Sequence, residues 1–243
     1  MPFQNIRPLH ILWQENIEKE NLHGVFFGIV RVLLLAGVFQ KFRLEHLGQR
    51  RQSNWRDRSG ALNQYQSLDW YICLADFHSK KVGHLNSMLL LDTLQMDSLQ
   101  NSLYAEEPRY ELIVVNEPLH WNDVSIRTVN GIGRRDQGAI ITIGKYLHLL
   151  QPVDGESEED TKKRRSDFFL YTQMVTMHEL GHVFGLFPGT GKEDPTDEES
   201  REAHCLDECV MWWQENHELY KKIQRKPFCQ SCLKKLKQFF IKP

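Results

Sequence analysis

Residues 178–182 read His178-Glu179-Leu180-Gly181-His182 and lie near the end of a long apolar run that begins at Phe168. On a helix the two histidines stand four residues apart and project from one face. Two imidazoles at that spacing can hold one zinc ion, and Glu179 beside the first can take a proton from a water on that metal. Phe168, Phe169, Leu170, Met174, Val175, Met177, Val183 and Phe184 make the run apolar nearly all round. The pattern predicts a core helix over about residues 160–186, with the pentapeptide in its last two turns. Gly185 follows and permits a sharp turn. The competing reading is that His178 and His182 only stack in a packed core. The intervening glutamate and a histidine further on weigh against it.

A hydrolytic zinc needs three protein ligands and an open position. Candidates for the third are His204, His217, Asp194 and Asp197. His204 is favoured, because it is the first histidine after the helix and a turn at Gly185 would bring the chain back under the metal. A second signal comes from cysteine spacing. Cys205-x3-Cys209 and Cys229-x2-Cys232 are two close pairs separated by 19 residues. Two such pairs make a closed tetrahedral site with no room for water, hence a structural zinc. Unrelated buried cysteines, or two disulfides, are the alternatives. Cys73 is left over and reads as a plain buried thiol.

Taken together, His178-Glu179-x2-His182-x2-Gly185, then His204-Cys205-x3-Cys209-Val210-Met211, then Cys229-x2-Cys232 resembles the archaemetzincins. These are metzincin-like zinc peptidases in which the zinc-binding motif runs directly into a four-cysteine zinc site. The resemblance implies His178, His182 and His204 as ligands of a catalytic zinc, with Glu179 as general base. It implies Cys205, Cys209, Cys229 and Cys232 as ligands of a second zinc. Met211 would be the methionine of the turn beneath the metal. Two departures stand out. The family places its third histidine where this chain has Pro188, and His204 comes 16 residues later, as though an acidic loop were inserted. The first cysteine gap is one residue shorter than the family's. Loop insertion costs little, since closure entropy grows slowly with length.

The rest of the chain sets limits. At 243 residues it accommodates one large domain or two small ones. A net charge of −2 gives no global pull toward nucleic acid or anionic lipid. Gly24 to Phe39 is apolar, but carries Arg31 at its middle and is shorter than the ~20 residues of a membrane span. Residues 1–7 lack the layout of a signal peptide, so a cytoplasmic location with reduced cysteines is expected.

Helices are expected over residues 22–39, 62–79 and 84–103, with strands at 40–47, 110–115, 124–129 and 139–143. Gly48 to Gly60 and Pro188 to Ala203 read as loops. The expected class is α/β (α+β): a metzincin-like mixed sheet, the active-site helix, and a small zinc-knotted C-terminal part. The division falls at residues 1–186 and 187–243. Gly189-Thr190-Gly191-Lys192 lacks the first glycine and the final Ser or Thr of a phosphate loop. Asn130-Gly131-Ile132-Gly133 lacks the third glycine of a dinucleotide site. The basic amphipathic stretch Leu233 to Phe240 is expected to pack its apolar side on its own domain. Trp212 and Trp213 are read as core.

The function expected is hydrolysis of peptide bonds in a peptide or protein substrate, with two zinc ions and no nucleic-acid or membrane partner. An edge strand over residues 124–130 would hold the peptide extended. One rival is a catalytically weak or inactive binding protein that keeps its zincs for stability. The other is a nucleic-acid binder built on the cysteine knot, which the acidic loop and net negative charge oppose.

Overall fold

The computed structural model describes residues 6–48, 68–78, 83–96, 108–121, 128–187, 204–212 and 217–241. Eight strands are present among them: β1 (Leu9–Trp13), β2 (Leu44–Gly48), β3 (Leu85–Asn86), β4 (Tyr110–Val115), β5 (Leu119–His120), β6 (Thr128–Val129), β7 (Gly131–Arg134) and β8 (Gly138–Thr142). Five form one sheet in the order β2-β1-β4-β8-β7. All neighbours in it are parallel except β7, which runs antiparallel to β8 along the edge. The short strands β3, β5 and β6 form a second sheet.

The described residues also hold six α-helices: α1 (His23–Ala36), α2 (Leu68–His78), α3 (Ser87–Met96), α4 (Glu158–Val183), α5 (His217–Ile223) and α6 (Gln230–Phe239). Side chains alternate across a strand, and here both faces are covered. Leu9, Ile11, Leu112, Val114, Ala139 and Ile141 join the apolar cluster that contains residues of α1, α4 and α6. Leu12, Ile113, Val115 and Ile140 join the cluster built on α2 and α3. Two-sided burial explains the apolar run Leu112–Val115, and all six residues of β4 are buried.

α4 is the spine of the first layer. Ser157 caps it, accepting from the Asp160 amide at 3.1 Å, while its hydroxyl donates to the Asp160 carboxylate at 2.6 Å. Glu158, Glu159 and Asp160 set negative charge at the positive end of the helix. α1 crosses α4 closely: a Cβ at Gly24 would stand 2.0 Å from Thr172 Oγ1, and one at Gly28 would stand 2.8 Å from the Gln173 carbonyl. At its other end α4 stops with a left-handed Gly185, φ +79. The Leu186 amide donates to Gly181 O at 2.8 Å and the Gly185 amide to His182 O at 3.0 Å, the paired bonds of a Schellman cap.

Several expectations shift. The first helix closes at Ala36, where Gly37 turns left-handed, and the following strand begins at Leu44 rather than residue 40. Leu85 belongs to β3 and precedes α3. Of the strand expected at 124–129, only Thr128 and Val129 are described, and they pair with β5 in the small sheet. The edge strand of the main sheet beside α4 is β7. Its Gly-Ile-Gly-Arg sequence carries little β propensity, and it forms a strand because it pairs with β8 and lies under α4. Cys73 is exposed, not buried, because it lies on the outer side of α2. The apolar side of the 233–240 stretch does face its own core: Leu236 is fully buried, and the Phe240 ring lies 5.0 Å from that of Phe184. Residues 49–67, 188–203 and Trp213 lie outside the described residues, and with them Asp194, Asp197 and the acidic loop.

Candidate metal centre and active site

Three imidazoles meet at the end of α4. His178 and His182 come from the helix and His204 from the start of the segment His204–Trp212. Their ring centroids stand 4.8, 5.2 and 5.0 Å apart, and one nitrogen of each lies within 4.8 Å of the others. His204 therefore reaches the helix histidines across the long connection. His217 does not. It sits in α5 with its ring stacked on Tyr171 at 3.9 Å.

Backbone carbonyls orient the two helix histidines. His178 Nδ1 donates to Val210 O at 2.7 Å. His182 Nδ1 donates to Phe187 O at 2.5 Å and Leu186 O at 3.0 Å. A carbonyl can only accept, so each Nδ1 carries the proton and each Nε2 presents a lone pair. Those Nε2 atoms are 3.1 Å apart. Protonation would relieve the clash of lone pairs, but burial and the neighbouring histidines hold His178 well below its ordinary value. Burial and His204 hold His182 down near about 4. A divalent cation resolves the conflict. Two nitrogens at 2.0–2.1 Å from a tetrahedral zinc stand about 3.3 Å apart. Three imidazoles also leave one position open. The donor set therefore fits a zinc of the hydrolytic type.

Glu179 points to the sheet side of α4. Burial pushes its carboxyl up to about 8, against the pull of the Gly133 amide, which hydrogen-bonds to it. The register explains that bond. Asn130 O accepts from the Thr142 amide, so alternate residues Gly131 and Gly133 aim their amides and carbonyls away from β8. The helix then closes on them. A Cβ at Gly131 would meet Glu179 Cγ at 2.6 Å, and one at Gly133 would meet Glu179 O at 2.3 Å and His182 Cβ at 2.8 Å. These are the glycines that failed as a dinucleotide motif. Their spacing of two on a strand was the available signal for a close backbone approach.

Beneath α4 lies Met211, fully buried, its sulfur seated where a Cβ at Gly181 would come within 2.4 Å. The neighbouring Trp212 is half-buried and packs on the core.

The four cysteines also converge. Cys205 and Cys229 Sγ atoms are 3.7 Å apart, those of Cys209 and Cys232 are 3.9 Å apart, and all four lie within 4.8 Å of one another. Tetrahedral zinc with 2.3 Å bonds separates its sulfurs by about 3.8 Å. None of the four is in a disulfide. The hydrogen bond with Cys232 draws the Cys209 thiol down to about 6, and the same bond raises Cys232. No protein outside the four is needed to close this site.

The archaemetzincin of Methanopyrus kandleri is similar in structure, with a TM-score of 0.57 over 99% of both chains and 20% sequence identity. This chain has the archaemetzincin fold. A zinc-dependent peptidase from Methanocorpusculum labreanum matches at a TM-score of 0.47 and 18% identity, over 94% of this chain and 99% of that one. No protein-family profile and no curated protein sequence matches the chain. The archaemetzincin fold was expected from the histidine and cysteine motifs. The sheet order and the long helix supply what those motifs alone did not: an edge strand set against the Glu179-bearing face of α4. Among the described residues no helix is long and apolar enough to cross a membrane.

Proposed function

We propose that this chain is a zinc-dependent peptidase. His178, His182 and His204 hold the catalytic zinc, Glu179 is the general base, and Cys205, Cys209, Cys229 and Cys232 hold a structural zinc. The observation that carries this reading is the convergence of three histidines whose two helix members have Nδ1 committed to carbonyls and Nε2 turned inward. Zinc held there supplies Lewis-acid chemistry, polarising a carbonyl oxygen and acidifying water. The carbonyls of Val210, Phe187 and Leu186 fix the imidazole tautomers and raise their basicity as ligands. Glu179, with a carboxyl poised near neutrality, accepts the proton of the attacking water and passes it to the leaving amine. The Gly133 amide holds the carboxylate in place between those transfers. The outer edge of β7, not residues 124–130, is where an extended peptide would pair.

In this reading residues 1–186 carry the helix pair of ligands, the base and the edge strand. Residues 187–243 add the third histidine and the cysteine site. The free thiols favour a reducing compartment, in keeping with a cytoplasmic location. The test is digestion of a peptide library by zinc-loaded protein beside Glu179→Ala. Cleavage by the wild type, abolished in the variant with zinc retained, supports the assignment. Equal cleavage by both removes Glu179 as base, and no cleavage by either favours a zinc-stabilised binding protein.

A further inference from the structure

We propose that the four cysteines are positioning residues for the three histidines, so that metal at the cysteine site sets the affinity of the histidine site. This rests on the reading of both groups as metal sites. Each histidine is tied to the cysteine knot by a separate contact. His204 directly precedes Cys205. His178 donates to the carbonyl of Val210, which directly follows Cys209. His182 donates to the carbonyl of Phe187, and Phe187 lies under Lys235 of α6, with Nζ 4.4 Å from the ring centre. α6 carries Cys232 and is capped by Cys229, whose sulfur accepts from the Cys232 amide at 3.4 Å. Phe239, at the end of the same helix, packs where Gly185 lacks a side chain.

The segment between the two sites is closed on itself. The Cys205 amide donates to Met211 O at 2.9 Å, the Trp212 amide to Cys209 O at 3.0 Å, and the Val210 amide to Pro227 O at 2.6 Å. A shift of Cys205 or Cys209 therefore carries His204, the Val210 carbonyl and Met211 with it. Cys205 and Cys209 are held against Cys229 and Cys232 by the Val210–Pro227 bond and by the sulfur contacts of the cysteine site. Four thiols offer each other only weak hydrogen bonds, whereas a shared cation locks both pairs. Coupling between two sites is reciprocal, so each must raise the other's affinity by one factor.

Cobalt(II) titration of the metal-free full-length protein tests this, because thiolate ligation alone gives intense near-ultraviolet charge transfer and the histidine site is followed by its visible bands. Cys229→Ser/Cys232→Ser alters ligands outside residues 204–212. It should lose the charge-transfer band and weaken cobalt binding at the histidine site about 10- to 100-fold, with helical circular dichroism kept. His182→Ala should weaken the cysteine site by the same factor. Histidine-site affinity within about twofold of wild type in the double cysteine variant overturns the proposal. Where that variant does not fold, an unchanged cysteine site in His182→Ala overturns it instead. Wild-type protein that takes two cobalt ions independently leaves the peptidase reading intact and sinks only the coupling. Wild-type protein that takes a single ion sinks the histidine-site assignment and the coupling together.

Discussion

His178 Nδ1 donates to the carbonyl of Val210 at 2.7 Å, joining two residues 32 positions apart. The bond fixes Nε2 as the nitrogen of His178 that faces His182. It also ties the helix of His178 and His182 to the segment that brings in His204. His204 opens that segment six residues before Val210, and its ring stands 5.2 Å from that of His178.

His204→Ala therefore removes one metal and keeps the fold. Metal analysis of gel-filtered protein should fall from two zinc ions per chain to one, with peptide cleavage down about a thousandfold or more. Thermal unfolding should remain a single cooperative transition. Two retained zincs would take His204 out of the ligand set.

Much of this site was legible because its residues are chemically rare and closely spaced. His178, Glu179 and His182 share one helix face, and the cysteines come in two tight pairs. The convergence of His204 on the helix pair was legible only as the best of four candidates, because nothing in 16 additional residues of sequence reports where the chain returns. β7 was not legible. A Gly-Ile-Gly-Arg strand offers neither β-branched alternation nor an apolar run, and its glycines are required by Glu179 and His182 of α4, 46 or more residues later. The carbonyls of Leu186, Phe187 and Val210 are backbone groups that any side chain could carry, so sequence is silent on them. The apolar strand β4, buried on both faces, was the easiest element to place.

Gly133→Ala tests the contact between the edge strand and the catalytic helix. The new Cβ would stand 2.3 Å from the Glu179 carbonyl, a backbone atom with no freedom to swing away. Forcing the strand off the helix should cost about 1–3 kcal/mol in urea unfolding. It should also lower kcat more than it raises KM, because the Gly133 amide no longer holds the Glu179 carboxylate. A variant as stable and as active as wild type would show that the approach of β7 to α4 is looser than described.

Met211 tests support from below. Met211→Ala leaves a cavity under Gly181 and should lose about 2–5 kcal/mol of stability. Met211→Leu nearly conserves volume and should lose less than about 1.5 kcal/mol. Both should keep the full metal content at neutral pH, since the methionine offers packing and no ligand. Zinc loss in Met211→Leu would assign the sulfur a more direct part.

The metal-free protein should show two opposed pH dependences. His182 titrates near about 4 in the folded state against 6.5 in the ordinary case, and His178 is lowered in the same direction. Below pH 6.5 the unfolded chain takes up protons that the folded chain refuses, so stability falls as pH drops toward 4. Glu179 behaves in the other sense. Its carboxyl titrates at about 8 when folded and 4.5 ordinarily, so between those values the folded chain holds the extra proton. Stability then falls as pH rises through that window, by up to about 1.4 kcal/mol per pH unit from this group. Glu179→Gln removes the second dependence and keeps the first. Urea unfolding of the metal-free pair at pH 5.5 and 7.5 should show the variant gaining on wild type at the higher pH. Zinc should deepen the histidine dependence in both proteins, because coordinated imidazoles refuse protons to still lower pH while those of the unfolded chain take them up. A metal-free wild type whose stability rises steadily from pH 5.5 to 7.5, in parallel with Glu179→Gln, would place the Glu179 carboxylate in water and not against Gly133.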